Sequence, residues 1–400
     1  FVRQAINYTP YKDNIAYSSE TKLIVSGHQP ELFHPGVWLK NFVLSRCGEL
    51  SDALAINLII DNDVARHTSI KVPAGNLQRP HLEEVSLDEP TGQIPFEERR
   101  IISIDKLKSF PDRLRRHFYQ QSWYQHEPRR LLADDLWKQI DWQMWKLDHF
   151  TLGGLISSAR QILEQTVGLD TLELPLSTVA QTEHFRKFAL DLMLQLPRFR
   201  DTYNRSLAEY RLVNKIRSDS HPVPALTTEG EWLEAPFWIW TTENPHRKRL
   251  FVRNVFVASG DTFLELSDRD SIHAQLHSSI NDEETLIDQL REYESQGIKI
   301  RPRALITTMY ARLFLSDLFI HGIGGAKYDE LTDAIIRRFF GVEPPAYMTV
   351  TGTVRLPIPR PDVSAADVRH VKQLIREILF HPEIFGNDAS PAVRESAAQF

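Results

Sequence analysis

Three polar clusters in this sequence contain the residue types that acid–base chemistry and anion binding require. The first begins at Gly27 (Gly-His-Gln-Pro), the second is Asp61-Asn62-Asp63, and the third is the glycine-rich segment from Gly322 to Asp329. Each cluster directly follows a short apolar run of the length expected for a buried strand. Because parallel sheets bind ligands at the carboxyl ends of their strands, we expect the three clusters to line one pocket.

The first two clusters supply the candidate catalytic residues. His28 can transfer a proton, and Asp61 and Asp63 can bind an amine or a cation. Gly27 and Gln29 are predicted to contact a polar substrate. Two simpler interpretations stay open: His28 caps the next helix, and the two aspartates are solvated turn residues.

The third cluster is predicted to bind an anion. A strand is predicted over Asp317–His321, a glycine-rich turn over Gly322–Ala326 and a helix over Tyr328–Phe340. Amide groups at a helix start lack intrahelical partners, and the helix dipole adds positive charge there. The predicted ligand-binding residues of this loop are Gly322, Gly324, Gly325, Lys327, Tyr328 and Asp329.

The glycine spacing of this loop matches neither the dinucleotide-binding fingerprint nor the phosphate-binding P-loop. A turn that only lets strand and helix pack closely, with Lys327 solvated, is therefore the alternative. If the loop does bind an anion, a side chain larger than glycine at Gly325 is expected to occupy the place of that anion.

Three continuous apolar runs predict the fold class. They are Lys22–Ser26, Leu54–Ile60 and Asp317–His321, and the first two are joined by a helical pattern. Continuous apolar strands are typical of parallel sheets that are covered on both faces. We therefore predict an α/β fold with a Rossmann-like parallel sheet, in which these runs are central neighbours and helices lie on both faces.

The rest of the chain is predicted to add to this core. Residues 1–104 are expected to form its first part, and residues 105–225 a mainly helical insertion. Residues 226–400 are expected to form a small β segment and the second part of the core with the glycine loop. The β segment is predicted from Trp232–Trp240 and Lys248–Val257, two runs rich in aromatic and β-branched residues.

Composition limits the classes of partner. The 400 residues carry a net charge of −6, which disfavours nucleic acid and anionic membranes as partners, since both need a basic surface. Cys47 is the single cysteine, and no apolar run is long enough to span a membrane, so a cytoplasmic protein is expected. We expect a small-molecule substrate, with a homodimer as an open alternative to a monomer. No metal is predicted, because His67 is only loosely spaced from the aspartates.

Three patches resemble the cysteine ligases assigned to bacillithiol synthesis. The patches are the strand followed by Gly-His-Gln-Pro-Glu-Leu-Phe from Gly27, the segment Leu58–Asp63 and the segment Arg301–Asp333, and their order agrees with that family. The resemblance implies a Rossmann-like core with inserted segments. It also implies a carbon–nitrogen ligase that joins a cysteine-like amino acid to an amino sugar or similar amine. ATP or another nucleotide is the cofactor expected from the predicted anion-binding loop. His28 stands where the family commonly has Gln, which puts the particular substrate in question.

Two other classes of function remain open. A nucleotidyltransferase-like enzyme would share the architecture, although Gly27-His28 and His34 lack the spacing of the His-x-Gly-His signature. A binding or scaffold protein that kept the fold without the chemistry is the non-enzymatic alternative. Serine hydrolase and zinc hydrolase motifs are absent from the sequence.

Overall fold

The computed structural model describes most of the chain. The described residues are 1–10, 12, 15–32, 34–66, 68–76, 79–121, 131–142, 151–256, 262–278, 283–354 and 362–381. His67, Phe33 and Val257 lie outside them. The described residues divide into two compact units. The larger unit holds those of 1–70, 84–114 and 129–354, including every predicted site residue, and the smaller holds those of 71–83, 115–128 and 355–400.

The strands of the described residues are numbered in chain order. They are β1 (Leu23–His28), β2 (Leu54–Ile59), β3 (Ser69–Gly75), β4 (Pro80–Ser86), β5 (Leu172–Pro175), β6 (Thr228–Glu229), β7 (Trp232–Thr241), β8 (Lys248–Phe256), β9 (Thr262–Ser267), β10 (His273–Ser278), β11 (Ile298–Pro302), β12 (Leu318–Gly322) and β13 (Tyr347–Val350).

The helices are numbered in the same way. They are α1 (Val2–Tyr8), α2 (Pro35–Ser51), α3 (Ile104–Lys108), α4 (Phe110–Tyr119), α5 (Leu132–Lys138), α6 (Leu152–Thr166), α7 (Leu176–Ala180), α8 (Glu183–Leu194), α9 (Leu196–Val213), α10 (Glu283–Ser295), α11 (Ala304–Tyr310), α12 (Ile323–Ile335) and α13 (Ala365–Phe380). Two π-helical segments, Ala311–Leu315 and Ile336–Phe340, continue α11 and α12. Among the described helices, none combines the length and apolar character that crossing a membrane requires.

Five of the strands in the described ranges form one parallel sheet in the order β13-β12-β1-β2-β5. Ile24 of β1 pairs with Leu318 on one side and with Ala55 on the other. The predicted central runs are therefore neighbours, and the Rossmann-like α/β fold is confirmed. Numbered by their place in the core, the strands have the order 5-4-1-2-3. The direction of winding reverses between β1 and β12, so the crevice between these two strand ends is the topological switch point.

Alternate residues of the central strands enter two different cores. Ile24 and Ile320 pack on one face with Leu44 of α2. Val25 and Phe319 point to the opposite face and join the large core that contains residues of α8, α9 and α11. Because successive side chains of a strand point to opposite faces, this division shows helices on both sides of the sheet.

Two details of the predicted layout are wrong. Residues 105–225 are mainly helical, but they also contain β5, which pairs with β2 as an edge strand of the core sheet. The glycine-rich turn predicted over Gly322–Ala326 is helical from Ile323 onwards, and Gly322 alone is the N-cap. The low helix propensity of glycine is overridden here because the first turn packs against His321 of the adjoining strand.

The predicted β segment belongs to an antiparallel sheet. Its order is β10-β9-β8-β7-β11, with β6 paired to β7. Arg301 of β11 is fully buried and binds the carboxylates of Glu97 (2.9 Å) and Glu294 (2.8 Å). The chain passes from β11 directly into α11, so this sheet is tied to the edge of the parallel sheet where the site lies.

Candidate functional site

A cavity of about 890 Å³ lies at the carboxyl ends of β1, β2, β12 and β13. This volume is within the range of small-molecule sites. Of the predicted site residues, eight line it: Gly27, His28, Gln29, Asp63, Gly322, Gly324, Gly325 and Tyr328. The structure thus brings together residues from all three polar clusters at the switch point.

Asp61, Lys327 and Asp329 do not line this cavity. Asp61 and Ile59 face a second cavity of about 560 Å³, whereas Ile60 and Asn62 face the first, because successive side chains alternate in direction. Asp61 accepts hydrogen bonds from the amide (2.9 Å) and the hydroxyl of Ser177. Burial raises the pKa of Asp61 in spite of these bonds.

Lys327 and Asp329 are displaced by the early start of α12. Lys327 is the fifth residue of the helix and is exposed, so it is not at the helix start as predicted. Its carbonyl accepts a hydrogen bond from the hydroxyl of Tyr210 (2.7 Å). Asp329 is fully buried behind the cavity wall, where it binds other side chains of the protein.

His28 is a neutral group at the end of β1. Its Nδ1 donates to the carbonyl of Gln29 (3.2 Å). Burial and the positive charge of Lys40 lower the pKa of His28 to about 4. Near pH 7 this imidazole is therefore uncharged. The residue that caps α2 is His34, whose Nδ1 accepts from the amide of Gly36 (3.0 Å).

One wall of the cavity is a layer of arginine and tryptophan. The carboxylate of Asp63 accepts a hydrogen bond from the side-chain amide of Gln29 (2.9 Å) and forms an ion pair with Arg247 (3.0 Å), which neutralises its charge. The guanidinium groups of Arg247 and Arg303 lie 4.8 Å and 4.4 Å from the ring centre of Trp238, close enough for cation–π attraction. Arg247 comes from the connection between β7 and β8, and Arg303 directly follows β11. Arg303 pairs with the buried carboxylate of Glu234 (2.7 Å).

Asn62 fixes that wall to the parallel sheet. Its side-chain amide donates to the backbone carbonyl of Pro302 (2.7 Å), and its backbone carbonyl accepts a hydrogen bond from Arg247 (2.9 Å). The polar residue between the two aspartates is therefore a structural link between the two sheets.

His321 lines the cavity at the end of β12 and is oriented by a buried carboxylate. Its Nε2 donates to Asp329 (2.7 Å), which also binds Arg312 (2.8 Å) and Thr308 (3.1 Å). Burial alone would raise the pKa of Asp329, but the hydrogen bond from His321 and the positive charge of Arg312 hold it below its usual value. Because an ionised carboxylate can only accept, Nε2 carries a proton, and in the neutral imidazole Nδ1 is then the nitrogen with the lone pair.

The first turn of α12 forms the wall beside His321. Its N-cap, Gly322, makes no side-chain capping hydrogen bond. Gly324 and Gly325 line the cavity, so unpaired amide groups and the positive end of the helix dipole are directed at it. A Cβ at Gly325 would lie 2.6 Å from Nδ1 of His321, which explains why glycine is required where the helix approaches the ring.

Lys40 of α2 also lines the cavity and was not singled out in the sequence. Its side chain is 5% exposed, and its Nζ donates to the carbonyl of Gly27 (2.7 Å). In the described part of the chain no carboxylate pairs with it. Burial lowers the pKa of Lys40 to about 8.

Weak patterns in the sequence point to two of the cavity residues that the sequence analysis did not single out, Lys40 and His321. The buried positions of α2 are Lys40, Asn41, Leu44 and Gly48, a helical stripe in which a lysine is unexpected. His321 is the last buried residue of an apolar strand. Arg247 and Arg303 left no signal, because their position depends on how β11 joins the two sheets.

The arrangement defines an α/β protein with a cavity at the switch point of a Rossmann-like sheet, and arginine, lysine and histidine side chains line that cavity. Neither a comparison with protein families nor a comparison with curated proteins finds a match to this chain. Within the described ranges, no group of three or more His, Cys, Asp or Glu side chains is placed to hold a metal ion.

Proposed function

We propose that this protein is a nucleotide-dependent carbon–nitrogen ligase. In this proposal the cavity binds ATP or a related nucleotide, and the carboxyl group of a cysteine-like amino acid is joined to an amino sugar or a similar amine. The substrates follow from the resemblance of three sequence patches to the cysteine ligases of bacillithiol synthesis. The single cysteine, Cys47, supports a reducing compartment, and we propose the cytoplasm.

The observation that carries the proposal is the convergence of hydrogen-bond donors on the switch-point cavity. The uncapped start of α12 faces it, and Arg247 and Arg303 line the opposite wall. An anionic ligand would be stabilised by both features, and nucleotides bind at this place in doubly wound sheets. The cavity volume of about 890 Å³ also suits a nucleotide together with a small second substrate.

His321 is the candidate general base of the reaction. Amide formation requires that the attacking amine lose a proton, and Nδ1 of His321 has a lone pair at the cavity wall. Arg312 pairs with both Asp329 and Asp333, so the carboxylate that orients His321 is itself held by an ion pair. This carboxylate faces the positive charge that develops on the ring when His321 accepts a proton. ATP, when bound, supplies the group that activates the carboxyl.

A nucleotidyltransferase-like activity is the second candidate. His28 and His34 both line the cavity at the turn between β1 and α2, which is where enzymes of that class carry their signature histidines. A nucleotidyltransferase leaves the nucleotidyl group on its product and releases pyrophosphate. A ligase releases either AMP and pyrophosphate or ADP and phosphate, and its amide product carries no nucleotide. The mass of the organic product therefore separates the two chemistries.

The test combines nucleotide binding with turnover. Calorimetry with ATP and ADP measures binding, and mass spectrometry follows a mixture of ATP, magnesium chloride, cysteine and glucosamine for an amide product. We expect His321→Asn to bind ATP as the parent does but to lose turnover at least 100-fold, the usual scale for a general base. Lys327→Met, a change outside the cavity, is the control. If the parent binds no nucleotide, the ligase proposal fails and the scaffold hypothesis is favoured.

A further inference from the structure

Lys40 occupies the crevice between the two central strand ends. Its Nζ contacts the carbonyl of Gly27 at the end of β1, and its Cδ lies 3.8 Å from the position that a Cβ on Gly322 would take at the end of β12. The amine therefore lies at the switch point itself, next to the N-cap of α12.

The local contacts leave this amine short of partners. An ammonium group has three N–H donors, and the single bond to Gly27 is its one hydrogen bond in the described part of the chain. A buried charge without a counterion is unfavourable, and an anion in the cavity would remove that cost. Gly322, the N-cap of α12, makes no side-chain capping hydrogen bond, and the first amides of a helix have no intrahelical partner.

We propose that Lys40 and the first turn of α12 form a subsite for a diphosphate or triphosphate group, and that filling this subsite is coupled to the uptake of a proton by Lys40. This inference rests on the proposed function for the nucleoside part of the ligand, and it adds which residues hold the phosphates. Two independent kinds of donor, a buried amine and helix amides, face the same crevice, which a chain of phosphates can span.

The proton uptake follows from the state of Lys40 before the ligand binds. Its pKa is about 8, so most of the amine is neutral at about pH 8.5, and an adjacent anion favours the charged form. The other titratable and charged side chains that line the cavity are His28, His34, Asp63, Arg66, Tyr203, His221, Arg247, Arg303, His321 and Tyr328. His28 has a pKa of about 4 and Asp63 is paired with Arg247, while burial raises the pKa of Tyr328.

The test is calorimetry of the full chain at about pH 8.5 with ATP, AMP and inorganic pyrophosphate. Each titration is repeated in buffers with different ionisation enthalpies, which gives the number of protons taken up. We expect an uptake of about 0.7 proton for each ATP bound, because the pKa of Lys40 should rise from about 8 towards the usual value of a lysine. Lys40→Met should weaken ATP and pyrophosphate binding roughly tenfold or more and abolish the uptake. Lys327→Met should change neither, and AMP should bind more weakly than ATP.

The outcomes separate this inference from the proposed function. Equal affinity of the parent and Lys40→Met for ATP overturns the subsite, and ATP binding without proton uptake overturns the coupling. Both results leave nucleotide binding intact. Binding of pyrophosphate without binding of ATP supports the subsite and contradicts the nucleotide-dependent ligase. Binding of neither overturns both. The uptake is measured on the parent protein, so the inference can fail even if the variant does not fold.

Discussion

Two neighbouring glycines in α12 offer a matched pair of substitutions. A Cβ added at Gly325 would lie 2.6 Å from Nδ1 of His321, whereas a Cβ added at Gly324 would meet no described heavy atom within 4 Å. Gly325→Ala therefore tests whether the His321 ring is held in place. Gly324→Ala is the control for replacing glycine by alanine in this helix.

The expected magnitudes follow from helix propensity and packing. Alanine is favoured over glycine in a helix by about 0.8–1 kcal/mol, so Gly324→Ala should be neutral to stabilising by up to about 1 kcal/mol. Gly325→Ala has the same gain but forces the ring of His321 to move. That ring is fixed by Asp329 (2.7 Å) and packs against Tyr347 (5.2 Å between ring centres), so overpacking should cost about 1–3 kcal/mol.

Urea unfolding of the parent and both variants measures the two effects. We expect Gly325→Ala to be less stable than Gly324→Ala by about 1–3 kcal/mol at an unchanged m-value. Equal stabilities within about 0.3 kcal/mol would show that the ring moves freely, and the argument for an oriented general base would then be refuted. The sequence analysis predicts instead that a side chain at position 325 occupies the place of a bound anion. In that case Gly325→Ala should cost little stability.

Two further predictions concern buried charges. Arg301→Met should destabilise the fold by about 3–5 kcal/mol in urea unfolding, because Glu97 and Glu294 would lose their shared buried partner; a loss below about 1 kcal/mol would contradict this account. His28 has a pKa of about 4 in the fold and a usual value of 6.5, so the unfolded chain takes up a proton first as the pH falls. The free energy of unfolding should therefore decline by on the order of 2 kcal/mol between about pH 6.5 and about pH 4. His28→Gln should remove this part of the decline. An identical pH profile of the variant and the parent would contradict the prediction.

The centre of the fold can be predicted because its strands are apolar on both faces. Ile24 and Val25 enter different cores, and each needs an apolar environment, so the run is continuous in the sequence. β5 is not a continuous apolar run and could not be predicted in this way. It has four residues, and one of them is Glu173, which is buried through an ion pair with Arg160 (2.8 Å). The pairing of that charge cannot be seen in the periodicity of the strand.

The candidate site can be predicted only as far as the backbone determines it. Strand ends locate His28, Asp63 and Gly322 at one edge of the sheet. Which side of the edge a residue faces depends on the phase of the pleat, and for this reason Asp61 was assigned to the wrong cavity. Lys40 depends on the rotation of α2 about its axis, which the sequence pattern does not determine.

The pairing of β1 with β12 has a consequence for how the protein is made. Ser26 donates to the carbonyl of Ile320 (3.0 Å), and 294 residues separate the two. At the usual speed of translation, roughly 15–60 s pass between the synthesis of the two strands. During that time one edge of β1 has no partner, and open strand edges readily pair with other chains. The crevice between β1 and β12 is therefore assembled late, after β12 has left the ribosome.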